Sequence, residues 1–466
     1  MNLSRILEHW AGHCPSRVAL HFEGADLTYA ELWNRVERAA RALHVARGER
    51  IAWLGYNHPD MLVLLFAAAR RGALLVPLNW RLTAAEHKAI LQDCRPRWLF
   101  SDAELAPAAR DLGIPLGSLE AQAGAAANGT DEDELLIVYT SGTTGKPKGA
   151  VLTQAALLWN GYNSMHAHDL GQEDHVLSAL PMFHVGGLNN QTVPALLAGA
   201  TVTLHKRFEA GAWLAGVQAR KPTLSLLVPA TMQAVIAHGN WAGCDLSSLR
   251  LLNTGSMVVP ESLIRAFHAR GVPVGQIYGA TETAPIAIVL LREDAMRKVG
   301  STGKPALHCE VKLVGGEICV RGPNVMRRYW NDPAATRQVL DREGWFHTGD
   351  LARVDAEGYF WIVGRSKDVI ISGGENIYPA ELENVMADCP AIAESAVIGV
   401  ADAKWGEAAC AVVVRRPGAA IDEAAVRALF RDRLARYKHP RRVVFADALP
   451  KNALGKIQKH ELKKLL

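Results

Sequence analysis

Short apolar runs alternate with amphipathic helical patterns through the first 130 residues of the chain. Thr28 and Glu31 form a capping box ahead of apolar residues at helical spacing, which predicts a helix that begins near Tyr29. The same patterns predict a second helix near residues 60–71 and strands near residues 51–54, 73–77 and 98–101. Strands that alternate with helices are typical of an α/β fold.

A short apolar run at residues 135–138 predicts a strand that leads directly into a polar loop, and apolar residues resume at 150–152 as a second strand or helix. The loop combines glycines, hydroxyl groups and lysines, which are the groups that bind the oxygens of a triphosphate. It differs from the common P-loop, because Pro147 follows the lysine where that motif requires Ser or Thr. The loop residues are Thr140, Ser141, Gly142, Thr143, Thr144, Gly145, Lys146, Pro147, Lys148 and Gly149.

Further strand-like runs end in small or functional residues. The run at 176–180 precedes Phe183, His184, Gly186 and Gly187. The runs at 223–230 and 249–255 end at Ala230 and at Gly255 and Ser256, ahead of a helix predicted at residues 261–270. Ligands of doubly wound sheets bind where strands end, so these residues are candidates for a binding site.

Two later motifs suit a nucleotide and its metal ion. In the run from Tyr278 to Thr283, Tyr278 can stack on adenine, Gly279 permits close approach, and the Thr281 hydroxyl can donate to a phosphate. Glu282 is a carboxylate of the type that holds Mg²⁺. Asp350, in Thr-Gly-Asp, can accept hydrogen bonds from both ribose hydroxyls. The run at residues 300–305 is similar to the polar loop at residues 140–149, but it leads into no helical pattern, which indicates a turn.

The pattern changes after residue 365 to a small α+β unit. Helices are predicted at residues 379–386 and 423–433, with strands at 393–400 and 410–415. Strands are also predicted before this unit, at residues 310–314, 317–321 and 358–363.

Composition narrows the classes of function. A net charge of +4 over 466 residues argues against a dedicated nucleic-acid binder. The seven cysteines include no C-x-x-C pair, so the sequence predicts neither a disulfide framework nor a zinc site, and a cytoplasmic protein is expected. The apolar stretch at residues 61–69 is shorter than the about twenty residues of a membrane span. The expected partners are therefore small molecules.

The motifs resemble, in order, those of the adenylate-forming ligases, and most closely the branch of acyl-CoA synthetases and aryl-CoA ligases. The resemblance covers nearly the whole chain, from the phosphate loop through the Tyr-Gly-Ala-Thr-Glu run to Gly455-Lys456. It implies a large N-terminal α/β domain of several subdomains at residues 1–365. A small mobile α+β domain would follow at residues 366–466.

The resemblance also implies roles for particular residues. Thr140, the loop to Lys146, Gly255, Ser256, Tyr278, Gly279, Ala280, Thr281, Asp350, Arg365 and Lys456 would bind ATP or AMP. Phe183, His184, Gly186, Gly187, Ala230, Gly279, Ala284 and Pro285 would line the acyl pocket. Gly373, Gly374 and Lys438 would bind CoA, Lys367 would be the hinge, and Glu282 would hold Mg²⁺. Lys456, Thr281 and His184 are the expected catalytic residues.

The implied chemistry has two steps, with ATP, Mg²⁺ and coenzyme A as the required small molecules. ATP converts a carboxylic acid to acyl-AMP and releases pyrophosphate, and the thiol of CoA then replaces AMP. Between the steps the small domain would turn about Lys367. Small apolar residues behind His184 favour a medium-chain fatty or aromatic acid.

Three alternatives remain open at this stage. An amino-acid or aryl-acid adenylating enzyme could load a carrier protein, although such amino-acid enzymes usually place an aspartate where His184 stands. An inactive nucleotide-binding protein and a luciferase-type oxygenase are the others. The chain departs from the family at Ser256-Met257 and at Arg328, for which no role is evident, and it leaves open whether the protein is a monomer or a homodimer.

Overall fold

The computed structural model describes residues 2–119, 129–140, 147–373, 375–451 and 457–464. The strands in these ranges are β1 (Val18–Phe22), β2 (Ala25–Thr28), β3 (Arg50–Leu54), β4 (Leu74–Leu78), β5 (Trp98–Ser101), β6 (Glu134–Thr140), β7 (Lys148–Thr153), β8 (His175–Ser178), β9 (Thr201–Leu204), β10 (Leu224–Leu226), β11 (Leu251–Gly255), β12 (Val274–Tyr278), β13 (Ile288–Val289), β14 (Lys304–Pro305), β15 (Glu310–Val314), β16 (Glu317–Arg321), β17 (Arg328–Tyr329), β18 (Phe346–Val354), β19 (Phe360–Arg365), β20 (Ile370–Ser372), β21 (Glu375–Ile377), β22 (Ile392–Asp402), β23 (Gly406–Arg415) and β24 (Arg442–Phe445).

The α-helices lie between these strands for most of the chain. They are α1 (Ser4–His13), α2 (Tyr29–Ala42), α3 (Pro59–Arg71), α4 (Ala84–Cys94), α5 (Ala106–Arg110), α6 (Gln154–His168), α7 (Val185–Gly187), α8 (Val193–Ala198), α9 (Ala210–Arg220), α10 (Pro229–Ala237), α11 (Glu261–His268), α12 (Arg292–Ala295), α13 (Pro333–Val339), α14 (Pro379–Ala387), α15 (Glu423–Ala428) and α16 (Lys459–Lys464).

Local signals explain the first helices. The Thr28 side chain accepts from the backbone N–H of Glu31, and the Glu31 carboxylate accepts from Thr28 in return, which is the predicted capping box of α2. Helix α3 ends at Gly72, whose φ of 65° closes the helix in the left-handed conformation that glycine favours. Almost every side chain of α3 is buried, because the helix packs against α1 and α2 and against the strands β4 and β6.

A first sheet has the order β14-β13-β12-β11-β10-β8-β9-β1-β2. The strands from β12 to β1 are parallel to one another, and the pairs β12–β13 and β1–β2 at the two edges are antiparallel. Strand β8 pairs with β9 on one side and with β10 on the other, so the chain reverses its direction of travel across the sheet at β8. Such a switch point leaves a crevice at the carboxyl ends of the strands, where ligands bind.

Two further sheets belong to the same part of the chain. One has the order β17-β7-β6-β4-β3-β5, and the other has the order β15-β16-β18-β19. The nine-stranded sheet and the six-stranded sheet share a buried apolar cluster that includes residues of α3. The phosphate-loop strands β6 and β7 are antiparallel neighbours, so the segment after the loop is a strand and not a helix.

The last part of the chain is a separate α+β unit with its own apolar clusters. Its sheet has the order β21-β20-β23-β22, and β24 pairs with β23. The α/β fold class with a smaller α+β unit at the C-terminal end is therefore confirmed. One predicted helix is too long, because the helix expected at 423–433 ends at Ala428 and the chain continues in turns, with Asp432 at a φ of 59°.

Candidate functional site

The flanks of the phosphate loop are fixed by the β6–β7 ladder. Thr140 and Lys148 are paired residues in that ladder, and the Thr140 hydroxyl donates to the Lys148 carbonyl at 3.4 Å. The predicted loop residues Ser141, Gly142, Thr143, Thr144, Gly145 and Lys146 lie outside the described residues. The ladder therefore brings the two flanks of the loop, Thr140 and Lys148, side by side.

Tyr278, Asp350 and Arg365 meet, although they lie far apart in the sequence. The Tyr278 hydroxyl donates to Asp350 Oδ2 at 2.9 Å, and Arg365 Nε lies 2.8 Å from Asp350 Oδ1. Asp350 and Arg365 are paired residues of the antiparallel strands β18 and β19. Burial and the Asp350 charge raise the pKa of Tyr278, so the phenol stays a donor. The sequence prediction that these three residues share one site is consistent with this geometry.

Two predicted glycines lie where only glycine fits. A Cβ on Gly255 would lie 2.2 Å from the Ile277 carbonyl oxygen, and one on Gly279 would lie 1.6 Å from the Pro285 carbonyl oxygen. Ser256 follows with a φ of 74°, a left-handed conformation that costs a non-glycine residue energy and is often found at functional sites. Ala280 precedes a 3₁₀ turn over Thr281–Thr283, in which Thr281 is buried. These residues form the carboxyl ends of β11 and β12.

Two buried asparagines, which sequence reasoning missed, hold the segment after this turn. Asn160 of α6 accepts from the Ile286 backbone N–H at 3.1 Å. Asn324 donates to the carbonyls of Thr283 and Ile286 at 2.7 and 2.8 Å. Ala284 and Pro285, predicted to line the acyl pocket, are buried in the segment that these amides fix.

Glu282 is oriented by a tyrosine that the sequence did not single out. The Tyr329 hydroxyl donates to Glu282 Oε1 at 2.7 Å, and the Lys148 ammonium lies 5.5 Å from the centre of the Tyr329 ring. Burial and the Glu282 charge raise the pKa of Tyr329, which keeps the hydroxyl protonated. Tyr329 thus joins the expected metal ligand to the exit of the phosphate loop.

Arg328, which had no evident role, forms an ion pair in the structure. Its guanidinium makes two contacts with the Glu134 carboxylate, at 3.0 and 2.9 Å, and also lies over the Trp330 ring. Glu134 is the first residue of β6, and Arg328 pairs with Val151 of β7. Arg328 therefore fastens the strand that carries Tyr329 to the two strands of the phosphate loop.

His184 begins the short helix α7. Its Nδ1 accepts from the Gly186 backbone N–H at 3.1 Å, which assigns the hydrogen of the neutral ring to Nε2. Phe183 beside it is buried, with the Arg81 guanidinium 5.8 Å from the ring centre. Asn57, another residue that the sequence did not indicate, fixes the approach to this turn by accepting from Met182 and donating to the Leu180 carbonyl.

A narrow cavity opens at the switch point of the first sheet. Its walls include the carboxyl ends of β8 and β10 and the glycines behind His184, and the lining residues are Ser178, Ala179, Leu180, Gly186, Gly187, Gln191, Thr192 and Leu226. Ala230 does not line it, since it is exposed in the first turn of α10. Gly186 and Gly187 are thus the predicted acyl-pocket residues that line the cavity. The other predicted residues are not among its lining residues, and these are Phe183, His184, Ala230, Gly279, Ala284 and Pro285.

One wall of the cavity is a π-helical turn, Leu188–Thr192, a rare geometry that is frequent at functional sites. Gln191 in this turn is 2% exposed. Its Nε2 donates to Asn253 Oδ1 at 3.2 Å and, at 3.4 Å, to the Ser225 carbonyl. Its Oε1 has no hydrogen-bond partner among the described residues. Gln191 therefore lines the cavity and carries a buried acceptor without a partner, which a nearby donor would satisfy.

The predicted CoA and hinge residues belong to the last part of the chain. Lys367 is exposed in a 3₁₀ turn, and Gly373 has a φ of 61°, with the Trp405 ring so close that a Cβ would lie 2.5 Å from it. Lys438 forms an ion pair with Glu381 at 2.6 Å. Gly374 and Lys456 lie outside the described residues.

All seven cysteines are free thiols in the structure. None of the helices over the described ranges is long and apolar enough to cross a membrane.

Comparison with known proteins identifies relatives over the whole chain. A family model described as AMP-binding enzyme matches residues 7–330, and one described as AMP-binding enzyme C-terminal domain matches residues 381–456. An indoleacetate–CoA ligase of Aromatoleum aromaticum is 49% identical, covering 100% of this chain and 98% of the relative. A feruloyl-CoA synthase of an Amycolatopsis species is 45% identical, covering 97% of this chain and 96% of the relative.

A solved structure agrees with these sequence matches. The o-succinylbenzoate CoA synthetase of Bacillus subtilis, in complex with its acyl-adenylate intermediate, superimposes with a TM-score of 0.90 at 32% identity, covering 98% of this chain and 97% of that one. The same enzyme has been solved with ATP and magnesium ion, and that structure superimposes with a TM-score of 0.89 at 32% identity, covering 98% of this chain and 99% of that one.

Proposed function

The chain belongs to the family of AMP-binding enzymes and is an AMP-forming acyl-CoA synthetase, and we propose that its substrate is an aromatic acid whose ring carries a hydrogen-bond donor. The observation that carries the proposal is the unpartnered Oε1 of Gln191, a residue that lines the cavity at the switch point. A buried acceptor without a donor is costly, and a donor on the acid would remove that cost. A saturated fatty chain offers no such group.

The relatives support the same substrate class. Indoleacetate carries a ring N–H, and the feruloyl group carries a phenol, so the acids named for both relatives have a donor on an aromatic ring. The cavity walls beside Leu226 are formed by the small residues Ala179, Gly186 and Gly187, which suit an apolar ligand. The carboxylate would then point toward His184 and the ends of β11 and β12.

The nucleotide would bind across the ends of these strands. We assign its ribose to Asp350, with Tyr278 and Arg365 holding that carboxylate, and its adenine to the region of Gly255, Ser256, Tyr278, Gly279 and Ala280. The phosphates would lie on the loop between Thr140 and Lys148, with Thr281 and Lys456 at the α-phosphate. Support comes from the meeting of Tyr278, Asp350 and Arg365 within hydrogen-bond distance.

Mg²⁺ fits the carboxylate of Glu282. Tyr329 donates to one oxygen of that carboxylate and so fixes the direction of the other, in the way that neighbours of metal ligands orient them. The ion would neutralise charge on the phosphate oxygens of ATP. The Lys148 ammonium beside Tyr329 adds positive charge on the same side.

The reaction then proceeds in two steps. A carboxylate oxygen of the acid attacks the α-phosphorus of ATP, the α–β phosphoanhydride bond breaks, and pyrophosphate leaves. The CoA sulfur next attacks the acyl carbon, the bond to AMP breaks, and the thiol proton passes to solvent. Lys456 and Thr281 would stabilise charge in the first step, and His184 would position the acid for both.

We propose a domain boundary at residue 365, with Lys367 as the hinge for a turn of the small domain between the steps. Gly373, Gly374 and Lys438 would contact CoA after that turn. The free thiols support a cytoplasmic location.

Replacement of Gln191 by Met tests the substrate assignment, because Met keeps the length of the side chain and removes the acceptor. The wild-type enzyme is expected to prefer indole-3-acetate over benzofuran-3-acetate, which lacks the N–H, by about 5- to 100-fold in kcat/KM. Gln191→Met should reduce that ratio to within about 3-fold, since the lost bond is the source of the preference.

Asn189→Leu is the matched control, because Asn189 is buried in the same π-helical turn, does not line the cavity, and should leave the ratio unchanged. A ratio near one in the wild-type enzyme would contradict the proposal. So would a ratio that survives in Gln191→Met.

A further inference from the structure

Three side chains with three different metal-binding groups meet on the sheet of β15, β16, β18 and β19. Glu317 and Cys319 lie on β16, and His347 lies on β18. Their carboxylate, thiol and imidazole ligand atoms all lie within 4.8 Å of one another. Across the described part of the chain, this is the one group of three or more such side chains that could hold an ion.

The spacing of these atoms suits a tetrahedral ion. Cys319 and His347 are opposite each other on antiparallel strands, with 3.4 Å between Sγ and Nδ1. The same Nδ1 lies 3.4 Å from Glu317 Oε2. A zinc ion with bonds of about 2.0 to 2.3 Å holds its tetrahedral ligands roughly 3.3 to 3.8 Å apart. An ion could therefore enter between the three groups with little movement of the strands.

The neighbours of the three side chains also fit ligand roles. His347 Nε2 faces Asp341 Oδ2 at 3.6 Å, and this pairing directs Nδ1 toward the cluster, as carboxylates do for zinc-bound histidines. The other Glu317 oxygen accepts from the Gly349 N–H at 2.7 Å, so Oε2 is the one aimed at the cluster. Cys319 is fully buried, whereas Glu317 and His347 are half-buried, which gives an ion a path from the solvent side.

We propose that Glu317, Cys319 and His347 form a binding site for one zinc ion, with water as the fourth ligand. Zinc accepts this mixture of sulfur, nitrogen and oxygen ligands, whereas Mg²⁺ takes oxygen ligands. The site is therefore distinct from the Mg²⁺ site proposed at Glu282. Binding forms the sulfur–zinc bond and releases the thiol proton to solvent.

Zinc at this position would join β16 to β18 just before Gly349 and Asp350, the residues of the Thr-Gly-Asp motif. The Glu317 side chain would then contact both the ion and the Gly349 backbone. Occupancy is expected to raise the melting temperature of the protein, because the ion binds the folded arrangement and not the unfolded chain.

Cobalt(II) is the probe, since it takes zinc sites and its bond to a thiolate gives a charge-transfer absorption band. The metal-free full-length protein in excess Mg²⁺ is expected to bind one equivalent of cobalt with that band, and zinc should displace it. Cys319→Ser should lose the band. Cys244→Ser is the matched control, because Cys244 is equally buried and its replacement hydroxyl can donate to the Leu214 carbonyl near the sulfur.

Asp341→Asn keeps the proposal testable if the Cys319 variant does not fold. Asn retains the Oδ1 acceptor for the Glu343 and Trp345 N–H groups, and replaces the charged Oδ2 that faces His347 by an amide NH₂, which cannot accept from Nε2. Cobalt affinity should then fall by about 10- to 100-fold. Absence of the thiolate band in the wild-type protein would overturn the proposal, as would an unchanged affinity in Asp341→Asn or a band that persists in Cys319→Ser.

Discussion

Glu282→Gln is expected to lower the rate of acyl-adenylate formation by about 100-fold or more, because the amide removes the charge that holds Mg²⁺ at the phosphates.

Tyr329→Phe is expected to weaken the binding of Mg²⁺, since the Tyr329 hydroxyl donates to Glu282 Oε1 at 2.7 Å. Without that hydroxyl the carboxylate keeps its charge and loses its orientation. The apparent affinity for Mg²⁺ should fall by about 10- to 100-fold.

The two variants are distinguished by titration with Mg²⁺ in an assay of acid-dependent exchange between pyrophosphate and ATP. Tyr329→Phe should recover most of its rate at high Mg²⁺, whereas Glu282→Gln should not. Tyr359→Phe is the matched control, because the Tyr359 hydroxyl donates to Asp294 at 2.6 Å. Tyr359 lies at the turn of the β18–β19 hairpin, at the end opposite to Asp350. A Tyr329→Phe enzyme with unchanged Mg²⁺ dependence would show that Tyr329 does not position the metal ligand.

Lys456→Ala is expected to separate the two half-reactions. The family resemblance assigns Lys456 to charge stabilisation at the α-phosphate, and the residue lies outside the described ranges. Loss of one such cation costs about 100- to 1000-fold in related transition states. Formation of acyl-AMP from acid and ATP should fall by that factor, while conversion of supplied acyl-AMP and CoA to the thioester should stay within about 3-fold of the wild-type rate.

Lys451→Ala provides the control for this variant. Lys451 is close in sequence and forms an exposed ion pair with Glu394 at 2.7 Å, a type of contact that contributes little. Both half-reactions should persist in it. If Lys456→Ala lost both half-reactions equally, the assignment of different domain positions to the two steps would be contradicted.

The elements that carry local signals were predictable from the sequence. The Thr28 capping box begins α2 at the expected residue, and the polar loop after residue 138 is flanked by strands. The helix predicted at 423–433 was wrong in length, because the turns after Ala428 have no sequence signal as strong as glycine or proline. The short helix α10 was not predicted, since the apolar run at 223–230 indicates a single strand that ends at Ala230, whereas Pro229 is the first residue of a helix.

The side chains that position the site could not be predicted, because their partners are distant in sequence. Tyr329 reaches Glu282 across 47 residues, and Asn160 reaches Ile286 across 126. Hydrophobic periodicity reports which face of an element is buried, but it does not identify the polar partner on another element. The Glu317, Cys319 and His347 group could not be predicted for the same reason. It contains no pair of cysteines, and the strand register brings His347 to the other two residues.

The measurement that tests the central claim most directly is pyrophosphate release from ATP and Mg²⁺ with aromatic, fatty, dicarboxylic and amino acids, each with and without CoA. We expect sustained release that depends on CoA and is fastest with an aromatic acid whose ring carries a donor. Strong activity with malonate and none with aromatic or fatty acids would contradict it, and so would preference for an amino acid without dependence on CoA.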